Sequence, residues 1–99
     1  MITNQLLHPN SIVVVGASNN VQKPGGAILR NVINGGYKGE LRAVNPKEAE
    51  VQGILSYADV SLIPETDLAI LAIPAPACPA AVEILAKDKG NNIKTIFIT

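Results

Sequence analysis

Two glycine-bearing segments near the start of the chain have the composition of a phosphate-binding turn. Residues 11–16 form a β-branched run that ends in Gly16, and Gly25 and Gly26 open a predicted helix after a polar loop. Backbone amides at a helix start, together with the helix dipole, attract phosphate groups. The G-x-G-x-x-G dinucleotide pattern fails, because Ser18 replaces its second glycine and the loop is several residues too long. The alternative is that the glycines serve only the turn.

A second segment, Asn45-Pro46-Lys47, follows the predicted second strand. An NAD site places Asp or Glu at this point to bind the ribose hydroxyls. A lysine instead suits a phosphate on the ribose, as in NADP or in the 3′-phosphate of coenzyme A (CoA). Glu48 comes one residue later and could compete, and Lys47 could also be an ordinary solvated charge. Lys23, before the first helix, is a second candidate for phosphate binding.

A third segment, Ile73-Pro74-Ala75-Pro76-Ala77, is small and apolar and leaves the end of the third predicted strand uncovered. A flat adenine or an extended pantetheine arm could lie along it. The alternative is a rigid exit from strand to helix, which the prolines alone would explain. Because ligands of open α/β sheets bind beyond the carboxyl ends of the strands, we expect these segments and Thr99 to converge.

Composition excludes several other classes of function. The chain has one His and one Cys, and no metal motif, P-loop or nucleophile elbow, since G-x-S-x-G would need glycine where Asn20 stands. Eight basic and eight acidic residues give zero net charge, which argues against a nucleic-acid binder. A lone cysteine fits a reducing compartment. With no signal peptide and no run of about 18 apolar residues, we expect a cytoplasmic protein that does not bind membranes.

The elements that position these segments alternate between strand and helix. Strands are predicted at residues 11–16, 40–44, 67–73 and 93–98, and helices at 24–34 and 79–89, with loop at 47–55 and a helical turn within 57–63. This order predicts a Rossmann-like α/β domain with a parallel sheet and flanking helices. The last strand stops at Thr99 with no helix after it. Residues 1–99 are therefore expected to be the N-terminal domain of a longer protein.

The same segments, in order, resemble the CoA-binding domain of NDP-forming acyl-CoA synthetases. The resemblance extends to ADP-forming acetate–CoA ligases and to the N-terminal part of the succinyl-CoA synthetase α subunit. It covers nearly the whole chain and is carried by LHPNSIVVVGASN at 7–19, KPGGA at 23–27, GELRAVNPK at 39–47, VQG at 51–53, DLAILAIPA at 67–75 and IFIT at 96–99.

The resemblance implies a ligand and a set of binding residues. The loop from Gly16 to Asn20, which includes Ala17, would contact the phosphates and pantetheine of CoA, chiefly through Ser18 and Asn19. Asn45, Pro46 and Lys47 would flank the adenosine, with Lys47 near a phosphate. The rest of the groove would be lined by Ile73, Pro74, Ala75 and Thr99.

The resemblance also implies an activity for the longer protein. The family makes an acyl-CoA from a carboxylic acid, CoA and ATP or GTP, through an acyl phosphate and a phosphohistidine. That histidine and the ATP-grasp domain would lie outside this chain, which by itself would bind CoA and catalyse nothing. Two alternatives stay open: a non-catalytic CoA-binding module, for example of a protein acetyltransferase, and an NADP-binding domain of an oxidoreductase.

Overall fold

The structure is a computed structural model that describes residues 10–64, 66–73, 75–88 and 94–97. These residues contain eight helices and strands. In chain order they are β1 (Ser11–Val15), α1 (Pro24–Asn34), β2 (Glu40–Val44), β3 (Glu50–Val51), β4 (Ile54–Tyr57), β5 (Leu68–Leu71), α2 (Cys78–Asp88) and β6 (Lys94–Phe97). Short 3-10 turns at Val60–Leu62 and Ala75–Ala77 connect them.

The strands form one sheet in the order β3-β4-β2-β1-β5-β6. All described pairs are parallel except β3 with β4, which form an antiparallel hairpin at the edge. The reversal from β2 on one side of β1 to β5 on the other is the switch point where open α/β sheets bind ligands. The predicted Rossmann-like α/β fold is confirmed.

β1 lies in the middle of the sheet, and every residue in it is buried. Its alternate side chains enter two apolar cores, with Val14 in the core beneath α1 and Val13 in the core beneath α2. The predicted apolar face of α1 is confirmed, since Leu29 is fully buried and Ile28, Val32 and Ile33 pack around it. Burying one such leucine stabilises a fold by about 2 kcal/mol.

The prediction of a loop over residues 47–55 was wrong. The chain there forms β3 and the first half of β4, and Tyr57, which was placed in a helical turn, ends β4. The 3-10 turn is shorter than predicted, at Val60–Leu62. A strand of two residues, such as β3, is too short to show an alternation of apolar and polar residues. The connecting turn also gives no clear signal, because it is Gln52-Gly53 instead of the common Asn-Gly.

Other boundaries moved by a few residues. The third predicted strand narrows to Leu68–Leu71, and α2 begins at Cys78, one residue before the predicted start. The helix stop at Gly35 and Gly36 is confirmed, with Gly36 adopting the left-handed backbone, at φ 76°. Lys89, Ile93 and Ile98 lie outside the described residues.

Candidate functional site

The ends of four neighbouring strands meet at the carboxyl edge of the sheet. Past the end of β1, the Gly16 amide donates to the carbonyl of Val44 at 3.1 Å. The Ala72 amide, just beyond β5, donates to the carbonyl of Val15 at 2.8 Å, and Asn45, beyond β2, donates to Tyr57 at 2.9 Å. The parallel register therefore continues one residue past each strand and brings the predicted site segments to one edge.

Close backbone packing explains the glycines of the turn. Gly16 has a φ of 87°, and a Cβ there would overlap the carbonyl of Ala72 and lie 2.9 Å from Cγ2 of Ile73. A Cβ on Gly25 would overlap the carbonyl oxygen of Gly16, and its carbonyl carbon would be 2.7 Å away. The start of α1 thus lies directly against the end of β1, which a side chain at either position would prevent.

The turn exposes backbone donors without acceptors. The amides of Ala17, Ser18 and Asn19 donate to no acceptor among the residues that the structure describes. α1 begins after Lys23 without a side-chain cap, so the amides of Gly25 and Gly26 in its first turn are also available, whereas Pro24 has no N–H. The loop and the helix start therefore present backbone N–H donors from the same glycine turn. A phosphate or pyrophosphate binds to such a group of donors. These residues fit the phosphate portion of CoA.

The side chains of the turn mainly order the turn itself. Ser18 Oγ accepts the amide of Asn20 at 3.0 Å, and Asn20 Oδ1 accepts the amide of Gln22 at 3.0 Å. Asn19 Oδ1 accepts the amide of Gln52 at 2.8 Å. The hydroxyl hydrogen of Ser18 and the Nδ2 of Asn19 make no hydrogen bond within the described residues, so both can still donate to a ligand.

Asn45 connects the turn to the Asn-Pro-Lys corner. Its Nδ2 donates to the carbonyl of Ala17 at 3.0 Å, while its Oδ1 accepts the amides of Lys47 at 2.8 Å and Glu48 at 3.1 Å. The side chain, predicted to lie beside the ligand, therefore holds two of the predicted segments at a fixed distance.

An apolar cleft of about 340 Å³ opens beside the turn, on the α2 side of the sheet. Gly16, Pro46 and Ile73 line it, so the structure brings together one predicted residue from each of three segments. The small residues Ala77, Ala80 and Ala81 form the facing wall and leave it open. A flat ring or an extended aliphatic arm fits this lining better than a phosphate does.

Asp59 is the one ionisable residue among those lining the cleft. The hydrogen bond from the Ser61 hydroxyl, 2.6 Å from Oδ2, lowers the pKa of Asp59, so its carboxylate is ionised at neutral pH. A negative charge at this end of the cleft disfavours a phosphate directly beside it.

The two candidate lysines lie on the rim. Lys23 is exposed directly before α1. Lys47 is also exposed and lies outside the apolar cleft, beside a neighbouring depression of about 280 Å³ that Asn45, Glu48 and Ser56 also line. Both ammonium groups can move towards an anion at the edge of the site.

For three predicted site residues the structure gives either the backbone position alone or no description. Ala75 begins the second 3-10 turn, directly before α2. Pro74 and Thr99 lie outside the described residues, so their assignments stay predictions.

Gln52 was not singled out from the sequence, yet it contacts the glycine turn most extensively. Its Nε2 donates to the carbonyls of Ser18 at 2.8 Å and Gly26 at 2.9 Å, and its amide donates to Asn19. The sequence signals were its place in the VQG segment that carries the family resemblance and directly before Gly53, a residue that permits a tight hairpin turn.

Neither a metal centre nor a membrane span is found in the described ranges. No group of three or more His, Cys, Asp or Glu residues there could hold a metal ion. No helix within residues 10–64, 66–73 and 75–88 is long and apolar enough to cross a bilayer.

Known proteins are similar to this chain in both sequence and fold. ADP-forming acetate–CoA ligase II of Archaeoglobus fulgidus is 37% identical over 94 residues, which are 94% of this chain and 14% of that protein. The apo dinucleotide-forming acetyl-coenzyme A synthetase 1 of Ca. Korarchaeum cryptofilum superposes with a TM-score of 0.80 at 34% identity. That match covers 85% of this chain and 19% of the other. The chain thus spans a small part of these relatives.

A shorter protein also has this fold. A conserved hypothetical protein from Pyrococcus furiosus superposes with a TM-score of 0.78 at 27% identity, over 90% of this chain and 74% of that one. The family of the CoA binding domain matches residues 10–99. With that match over nine-tenths of its length, this chain belongs to the CoA binding domain family.

Proposed function

We propose that this chain binds CoA at the carboxyl edge of its sheet, as the N-terminal domain of an NDP-forming acyl-CoA synthetase. The observation that carries the proposal is the placement of free turn amides beside an apolar cleft, both against Gly16. CoA has matching parts, because a pyrophosphate joins an adenosine to a long pantetheine arm. Family membership supports the same ligand.

The proposed contacts follow from the chemistry of each part of the site. The amides of Ala17, Ser18 and Asn19 and the start of α1 at Gly25 would bind the pyrophosphate, with Lys23 nearby. The cleft beside Pro46 and Ile73 would hold the uncharged parts, and Pro74, Ala75 and Thr99 would extend it. Asn45 would fix the corner from which Lys47 reaches the ribose phosphate. These assignments rest on geometry and family likeness together.

The first prediction is that CoA, and not NADPH, raises the melting temperature of the purified protein. A ligand at a hundred times its Kd stabilises the folded state by about 2.7 kcal/mol. For a domain of this size that is a rise of roughly 10 °C or more. Differential scanning fluorimetry with CoA, dephospho-CoA, NADPH and NADH measures it. A rise with NADPH alone would favour an oxidoreductase domain and contradict the proposal.

The second prediction concerns Lys47→Ala, which should weaken CoA binding about tenfold and leave dephospho-CoA unaffected. A contact between an exposed ammonium group and the 3′-phosphate should contribute about 1.5 kcal/mol, the lower end of the range for hydrogen bonds to charged groups. Isothermal titration calorimetry with both ligands measures the difference. Lys38→Ala is the control, because Lys38 is also exposed but precedes β2, at the opposite edge of the sheet. Equal losses for the two ligands would exclude a contact between Lys47 and the 3′-phosphate.

The whole protein's activity belongs to the same proposal. A following flavodoxin-like domain with a histidine and an ATP-grasp domain or subunit would make an acyl-CoA by way of a phosphohistidine, in the cytoplasm. The short Pyrococcus furiosus protein favours a second candidate, a small CoA-binding module without catalysis, because this chain covers 74% of it. The reading frame after Thr99 distinguishes the two, since a ligase requires the histidine-bearing domain there, with the ATP-grasp unit either in the same frame or as a separate subunit, and a module requires neither.

A further inference from the structure

The β3–β4 hairpin ends in a turn whose first residue is unusual. Val51 pairs with Ile54, so Gln52 and Gly53 are the two central residues, and both have positive φ, at 52° and 81°. This is the pattern of a type I′ turn, in which asparagine, aspartate or glycine is preferred at the first position. Gln52 is the one residue other than glycine with positive φ in the described part of the chain. The turn alone does not explain a glutamine there.

The hydrogen bonds of the Gln52 side chain explain why a glutamine occupies this position. Its carboxamide is part-buried and donates to both Ser18 and Gly26, so one side chain joins the middle of the glycine turn to the start of α1. The Gln52 amide adds the bond to Asn19. Asparagine would suit the turn better but is one methylene shorter, so it cannot keep both carboxamide bonds at their present lengths.

These bonds fix carbonyl groups whose orientation matters for binding. With the carbonyl of Ser18 turned towards Gln52, the peptide groups of the turn cannot rotate freely, and the free amides of Ala17, Ser18 and Asn19 stay in place. A Cβ on Gly26 would lie 2.9 Å from the same Ser18 carbonyl oxygen, so the turn and the helix start already touch. A preformed site avoids the entropic cost of ordering the loop when the ligand binds.

We infer that Gln52 is a positioning residue for the CoA site, holding the glycine turn in its binding conformation from the hairpin. The inference rests on the proposed function and adds to it a residue that acts through the glycine turn. It assigns the β3–β4 hairpin a role beyond its pairing with β2, because the hairpin turn places Gln52 over the glycine turn.

The test is Gln52→Asn, which keeps an amide residue suited to the hairpin turn and shortens its reach. We expect CoA to bind about tenfold more weakly, with a melting temperature equal to or above that of the unchanged protein. NMR order parameters of the amides of residues 17–20 in the ligand-free protein should fall. Gln22→Asn is the control, because the exposed Gln22 side chain makes no hydrogen bond to any described residue, and it should change none of the three quantities.

The outcomes separate this inference from the proposed function. If the unchanged protein does not bind CoA, the proposed function fails, and the order parameters still test whether Gln52 holds the turn. Order parameters that stay unchanged in Gln52→Asn overturn the inference. So does a more mobile turn with unchanged CoA affinity. A large fall in melting temperature would show that Gln52 serves the stability of the hairpin instead.

Discussion

Gly25→Ala is expected to weaken CoA binding by at least about a hundredfold. The new methyl group would overlap the carbonyl oxygen of Gly16, and its carbonyl carbon is only 2.7 Å away. Both neighbours are backbone, so α1 and the turn must separate, and the amides of the two cease to face one ligand. Losing two charge-assisted hydrogen bonds, at about 1.5 kcal/mol each, corresponds to this loss of affinity. Isothermal titration calorimetry with CoA measures it.

Stability must be measured alongside, because forcing a methyl group into close-packed backbone costs about 1–3 kcal/mol. Circular dichroism and urea unfolding of the ligand-free variant give this quantity. Gly35→Ala is the matched control at the other end of α1, where φ is −73° and the nearest atom to the new Cβ is the Asn31 oxygen, at 3.2 Å. A folded Gly25→Ala protein with normal affinity for CoA would show that the contact with Gly16 does not shape the site.

The central architecture could be predicted because its signals are strong and local. Residues 11–15 are β-branched and buried on both faces, and α1 combines an apolar stripe with Pro24 at its start and Gly36 at its end. Strand ends in a parallel sheet share one edge, so the meeting of Gly16, Pro46 and Ile73 followed from strand order alone.

The remaining features depend on tertiary contacts that no local pattern shows. The hairpin carries Gln52 to the carbonyls of Ser18 and Gly26, which are 34 and 26 residues away. Asn45 was predicted to lie beside the ligand, but nothing in the sequence indicates that its Nδ2 bonds to Ala17. Asp59 also reaches the cleft only because the 3-10 turn packs beside α2.

Asn45→Ala is expected to remove the hydrogen bonds that connect the glycine turn to the Asn-Pro-Lys corner. The substitution removes three hydrogen bonds, one donated to the carbonyl of Ala17 and two accepted from the amides of Lys47 and Glu48. The exposed amides can bond to water instead, so the fold should lose only about 1–2 kcal/mol. CoA should bind at least about tenfold more weakly, because turn and corner no longer keep their spacing. Calorimetry with CoA and urea unfolding measure the two effects.

Asn45→Asp separates the two halves of the side chain. It keeps an oxygen acceptor for the amides of Lys47 and Glu48 but places a second oxygen against the carbonyl of Ala17, so we expect CoA binding to fall here too. Asn34→Ala, at the exposed end of α1, is the control and should leave affinity unchanged. If Asn45→Asp bound CoA normally while Asn45→Ala did not, the bond to Ala17 would be dispensable. The corner alone would then set the geometry of the site.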